Sequence, residues 1–133
     1  MNILFWLIPK EKVAFIYDDH TMRQALEKMQ VYRYQSIPIL NKKGDYIGTL
    51  SEGDLLWYMK DHQLDFDQTE DILITDVPRN RDNLVVDINT QMEDIFEVAT
   101  KQNFIPVIDD FGAFIGIITR KAIFGYVLAK KGK

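Results

Sequence analysis

The chain has 133 residues, 47% apolar and 27% charged, with a formal net charge of -4 and no cysteine. That length fits one compact domain or two very small halves leaning on each other, because halves of about 65 residues are marginal alone. The composition excludes a disordered chain, the lack of cysteine excludes disulfide and thiolate chemistry and points to the reducing cytoplasm, and the charge excludes the broad cationic face that duplex nucleic acid requires.

The opening Met1-Asn2-Ile3-Leu4-Phe5-Trp6-Leu7-Ile8 is strongly apolar, yet far short of the roughly 20 residues of a membrane-spanning helix. It lacks a basic leading region and a small-residue cleavage site before Pro9-Lys10-Glu11-Lys12. It reads as an arm that packs against the protein or a sister subunit, with attachment to a membrane surface as the alternative. A strand is expected from Val13 to Tyr17. Met22, Ala25, Leu26 and Met29 then recur at i, i+3, i+4, i+7, one stripe of a helix, and Thr21 with Gln24 has the spacing of a capping box that starts it.

Short runs rich in β-branched residues follow, Ser36 to Leu40 and Tyr46 to Leu50, joined by the hairpin sequence Asn41-Lys42-Lys43-Gly44-Asp45. A helix is expected from about Glu52 to Lys60. The stretch from Asp61 to Asp71 carries five acids and no Lys or Arg and reads as a solvated linker. Beyond it the same order returns. A strand runs from Leu84 to Ile88, and a helix carries Met92, Ile95, Phe96 and Ala99 behind the capping pair Thr90 and Glu93. Strands Phe104 to Ile108 and Phe114 to Ile118 flank Asp109-Asp110-Phe111-Gly112, and a last helix runs from Arg120 to Lys130.

The chain thus repeats itself. Ile37-Pro38-Ile39-Leu40 answers to Ile105-Pro106-Val107-Ile108, Gly44 to Gly112, Ile47-Gly48 to Ile115-Gly116, Ser51 to Thr119 and Tyr58 to Tyr126, all at an offset of 68. Upstream the offset is 70, so the first copy holds two extra residues between helix and strand, where a loop belongs. The expected organisation is an arm and first repeat over residues 1–60, an acidic linker over 61–71 and a second repeat over 72–133.

A helix, an Ile-Pro-aliphatic strand, a glycine-bearing hairpin and Gly-x-x-Ser/Thr leading into a helix, twice in register, resembles the CBS domain pair, or Bateman module. The resemblance runs from Lys12 to Leu128. Ile8-Pro9-Lys10-Glu11-Lys12-Val13-Ala14, Thr75-Asp76-Val77-Pro78-Arg79 and Ile118-Thr119-Arg120-Lys121 are also similar to short bacterial stand-alone CBS proteins, some of which are receptors for cyclic di-AMP. The resemblance implies an α/β (α+β) fold of tandem β-α-β-β-α repeats, packed sheet to sheet with pseudo-two-fold symmetry and leaving two related clefts. It also implies a homodimer.

In the first copy Gly48-Thr49-Leu50-Ser51-Glu52-Gly53-Asp54 matches the family pattern Gly-x-x-Ser/Thr-x-x-Asp, whose hydroxyl meets phosphate and whose carboxylate accepts from ribose. A helix start suits an anion, and a carboxylate suits a diol. Ser51 and Asp54 also stand at capping-box spacing, and both readings remain open. In the second copy Ala122 replaces the carboxylate, which puts ribose binding there in doubt. Arg120 and Lys121 follow Thr119 in the first helical turn, where the dipole disfavours cations. A bound phosphate would turn that repulsion into charge-assisted hydrogen bonds; an exposed pair with its own surface partners is the alternative.

The resemblance further implies that Lys12 approaches phosphate, Tyr34 stacks on a base, and Val13, Ala14, Ser36, Ile37 and Pro38 line the adenine cleft. Ile105, Pro106 and Val107 would line its companion. Core packing is the plainer role of these apolar residues. Arg33, Arg79 and Arg81 are secondary phosphate candidates and otherwise solvated.

His20 and His62 stand in no metal-ligand spacing, no Ser-His-Asp set is visible, and no Gly-x-x-x-x-Gly-Lys loop exists. Asp18-Asp19 and Asp109-Asp110 suit turns better than magnesium. The sequence therefore reads as a non-enzymatic regulatory module without a catalytic cofactor or metal. It is expected to sense AMP, ADP, ATP or cyclic di-AMP as a regulatory ligand and to signal in trans to an effector protein. The alternative is a ligand-free dimerisation or protein-interaction scaffold.

Overall fold

The computed structural model describes residues 1–131. Its elements in chain order are β1 (Ile8–Pro9), β2 (Ile16–Tyr17), α1 (Met22–Tyr32), β3 (Ser36–Leu40), β4 (Tyr46–Ser51), α2 (Glu52–Asp61), β5 (Val86–Asp87), α3 (Phe96–Ala99), β6 (Phe104–Ile108), β7 (Phe114–Thr119) and α4 (Arg120–Lys131), with short 3-10 turns between. They form two compact units, residues 14–82 and residues 1–13 with 83–133.

The unit of residues 14–82 holds the sheet β2-β3-β4, with β2 parallel and β4 antiparallel to β3. The β3–β4 hairpin forms because Asn41 turns its side-chain oxygen onto the N–H groups of Lys43 and Asp45, 3.0 Å each, while Gly44 takes the left-handed φ of 92°. Ile37, Ile39, Leu40 and Leu50 are buried. Met22, Ala25 and Met29 of the predicted stripe on α1 join their core, with Leu55 of α2 and Ile74 and Val77 beyond it. Thr21 and Gln24 complete the capping box that the spacing predicts.

The other unit holds the sheet β1-β7-β6-β5. Here β6 and β7 form the second antiparallel hairpin and β5 runs parallel to β6. The N-terminal arm belongs to this unit. Ile3 is fully buried beside Met92, Ile95, Ile105 and Ile118, and Trp6 sets its ring edge-on to Tyr126 at 5.8 Å. β1 adds to the sheet by pairing Ile8 and Pro9 with Ile117 and Gly116. Gly116 (φ 156°) is required there, since a Cβ would collide with the Ile8 carbonyl.

Four expectations need correction. The strands expected over Val13 to Tyr17 and Leu84 to Ile88 shrink to Ile16–Tyr17 and Val86–Asp87, because Lys10–Lys12 winds into a 3-10 turn and Leu84 bonds the side chain of Gln102 instead. The second repeat's first helix breaks into a 3-10 turn, Met92–Asp94, and the single turn of α3. Its expected cap fails: Thr90 bonds Asp87, Glu93 reaches Tyr126 and Lys130, and the N–H of Met92 goes to the Met1 carbonyl. The acidic stretch is exposed along most of its length but partly folded. Asp67–Asp71 winds into a 3-10 turn with Thr69 buried, and Arg23 of α1 bonds Glu70 and Asp67.

Candidate functional site

Each unit carries one strand-to-helix junction of the repeated motif. In residues 14–82, β4 hands over to α2 at Ser51. Its Oγ accepts the N–H of Asp54 at 3.1 Å, and Asp54 Oδ2 accepts the N–H of Ser51 at 3.0 Å. The capping role of this pair is therefore realised. Asp54 is 9% exposed, and its other oxygen accepts the N–H of Asn80 at 3.0 Å, tying the chain after Pro78 to the helix start.

Beside this junction Ser36 lies opposite Ser51 in the β3–β4 ladder, followed by buried Ile37 and Pro38. The N–H of buried Ala14 donates to the Tyr34 hydroxyl at 3.3 Å. This unit thus brings together Ala14 with Tyr34, and Ser36 with Ser51 and Asp54. Of these only Asp54 lines the cleft of about 260 Å³ that opens beside α2, with Trp57, Tyr58, His62, Arg79 and Asn80 among its other walls.

In the other unit β7 hands over to α4. Thr119 Oγ1 accepts the N–H of Ala122 at 3.1 Å, a half cap that Ala122 cannot reciprocate. Arg120 donates its N–H to Asn103 and its Nε to the Ala99 carbonyl at 2.8 Å. The guanidinium therefore covers the carbonyl end of α3, a structural reason for a cation that the sequence pattern does not reveal. Lys121 is exposed, and the first turn of α4 contains no acid.

Lys12 is exposed in the 3-10 turn Lys10–Lys12, which lies against β7, and Val13 behind it is buried. Ile105, Pro106 and Val107 pair with Ile118, Ile117 and Gly116 and are buried. This unit gathers Lys12, Val13, residues 105–107 and residues 119–121. Arg120 and Lys121 thus stand at a helix start that favours an anion, while the register of β1 on β7 carries the chain from Pro9 to Lys12 toward the Phe114 end of that strand.

Of the secondary candidates, Arg33 is the exposed C-cap of α1 with a left-handed φ of 59° and Arg81 is exposed, but Arg79 belongs to a bonded group. Asp82, which the sequence reading did not single out, accepts the backbone N–H of Thr49 at 3.0 Å and Arg79 Nε at 2.7 Å through Oδ1. Oδ2 takes a second Arg79 nitrogen at 3.3 Å. Burial pushes the Asp82 carboxyl up, but the Arg79 hydrogen bond and the Thr49 N–H outweigh it and hold it below the usual range. The Asp82 hydrogen bond in turn raises Arg79. Gly48 lets them lie close to the strand: a Cβ there would come 2.5 Å from Asp82 Oδ1 and 2.6 Å from Arg79 Nε, so these two side chains would have to shift. The signal available in the sequence was the repeat offset of 70, which sets Asp82 against Lys12.

Among the described residues no group of His, Asp or Glu is arranged to hold a metal ion, and no helix is long and apolar enough to cross a membrane. The family model described as the CBS domain matches residues 7–61 and again residues 71–129. The chain belongs to the CBS domain family. CBS domains are regulatory modules rather than catalytic ones.

Solved CBS structures share the fold. A CBS domain protein from Streptococcus pneumoniae is 26% identical over 98% of this chain and 88% of its own, with a TM-score of 0.86. CbpB in complex with c-di-AMP is 26% identical over 97% of this chain and 85% of its own, at 0.84. CBSX2 in complex with AMP shares the fold at 24% identity, over 98% of both chains, at 0.76. A search of curated protein sequences finds no match for this CBS protein.

Proposed function

We propose that this CBS protein is a cytoplasmic sensor of an adenosine nucleotide, AMP, ADP, ATP or cyclic di-AMP, and that it passes the bound state to an effector protein in trans as a homodimer. The observation that carries the reading is the start of α4, where Arg120 and Lys121 stand in a first turn without an acid and the Lys12 turn lies against the strand leading into it. Phosphate oxygens suit Arg120 and Lys121, the planar Arg fork above all. The nucleotides held by CbpB and CBSX2 support the choice of an adenosine ligand. In this reading Lys12, Thr119, Arg120 and Lys121 meet phosphate. In the unit of residues 14–82, Ala14, Ile37 and Pro38 border a base that Tyr34 stacks on, and Ser36, Ser51 and Asp54 face sugar or phosphate; in the other unit Val13 and Ile105 to Val107 line the companion cleft. The ligand acts by binding one form of the protein better than another.

Thermal melting with AMP, ADP, ATP, cyclic di-AMP and S-adenosylmethionine tests this. At least one adenosine nucleotide is expected to raise the midpoint, and Arg120→Ala is expected to remove the rise. No stabilisation by any of them overturns the reading. A second reading, a ligand-free dimerisation scaffold, is favoured by exposed apolar side chains on the helices: Val31 and Tyr32 on α1, Leu56 and Trp57 on α2, Phe124 and Leu128 on α4. It requires a dimer by light scattering that Arg120→Ala and Asp54→Ala leave unchanged.

A further inference from the structure

The first strands of the two repeats begin at Ile16 and Val86, 70 residues apart, so Asp82 stands in the second repeat's lead-in where Lys12 stands in the first. Each lead-in covers a matched glycine: Ile8–Pro9 passes over Gly116 in one unit, and Arg79 with Asp82 covers Gly48 in the other. The charge is inverted between them. Beside β7 the lead-in contributes the cation Lys12; beside β4 it contributes a carboxylate.

That carboxylate is held as a bound anion would be held. It takes the backbone N–H of Thr49, a residue only 4% exposed, and two nitrogens of Arg79. A buried backbone donor, a guanidinium fork and a glycine that lets the anion approach form a phosphate-type cradle. Arg79 also lines the cleft that Asp54, Trp57 and Tyr58 line, so an outside ligand can reach the guanidinium from that side.

We propose that Gly48, Thr49 and Arg79 form a second phosphate-binding site that the chain occupies with its own Asp82. A nucleotide phosphate therefore binds at the α4 junction of the wild-type chain and is excluded at Gly48–Thr49. The inference rests on the reading of the chain as a nucleotide-phosphate binder.

Calorimetric titration of the full chain with AMP tests it. Wild type is expected to take one AMP per chain and Arg120→Ala none. Asp82→Asn keeps an acceptor for the Thr49 N–H but removes the charge that neutralises Arg79. Asp82→Asn, and Asp82→Ala as a second variant, should take two. In Asp82→Asn with Arg120→Ala one AMP should remain, and adding Arg79→Ala should weaken it by about tenfold or more, the loss expected for a charge-assisted contact to phosphate. If both Asp82 variants bind as wild type does, or if wild type already binds two, the inference is overturned while the sensor reading stands. If wild type binds none and Asp82→Asn binds one, the sensor reading fails and the occupied site stands.

Discussion

Asp54 does two jobs at once. One carboxylate oxygen closes the capping box of α2 and the other holds the N–H of Asn80, so its removal leaves two backbone donors without their acceptor. Asp54→Ala is expected to cost about 1–3 kcal/mol in urea unfolding, with Asp54→Asn recovering part of it. Glu93 is a different case, a carboxylate at the surface. The Tyr126 hydroxyl above all, then a backbone bond and Lys130, lower its pKa from 4.5 to about 2. A depressed carboxylate contributes stability in full above its unfolded pKa and loses it as pH falls through the folded value. The unfolding midpoint of wild type should therefore decline between about pH 4.5 and 2 through this group. Glu93→Gln should remove that component, as read from melts across the range. Neither the second role of Asp54 nor the Tyr126 partner of Glu93 was legible in the sequence, because each partner lies more than 20 residues away. The local halves were legible, since Ser51 and Asp54 are three residues apart.

Among the elements the arm matters most. Seven apolar residues among the first eight announce burial but do not say against what. The structure shows Ile3 in the core of its unit and Ile8–Pro9 as the edge strand on β7. Ile3→Ala should cost about 2–5 kcal/mol, the range for deleting a buried branched side chain, measured by urea unfolding. Trp6→Ala tests the ring contact on Tyr126 separately. The two hairpins could be read from residues, because alternation, β-branching and a turn signal are all local; β3 and β6 have the bounds the sequence predicts. The two-residue strands β2 and β5 could not be read so closely, since a parallel strand extends only as far as its neighbour's ladder. The split of the helix before β6 escaped for a similar reason. The arm and Tyr126 take the groups a capping box would use, and both are remote in sequence.

For the whole molecule, chain order and compact units are interleaved: residues 1–13 join 83–133, and the chain up to Asp82 stays with the first repeat's strands. A fragment of residues 72–133 lacks Ile3 and β1, and is expected to show little cooperative structure by circular dichroism until residues 1–13 are fused to it. Ligand linkage also acts at this scale. A nucleotide at 100 times its Kd would stabilise the fold by about 2.7 kcal/mol, a rise in melting midpoint on the order of 10 °C for a chain of this size. That rise is large enough to be read without ambiguity in the screen proposed above. The sequence by itself determined the repeat, its hairpins, the capped start of α1 and the residue types at the two motif junctions, because those signals are periodicity and short spacing. Only the tertiary structure decided where the arm lies, that Arg120 covers the end of α3, and that Asp82 fills the place above Gly48. Each of these depends on which distant backbone groups are left wanting a partner, and that is settled when the chain closes on itself.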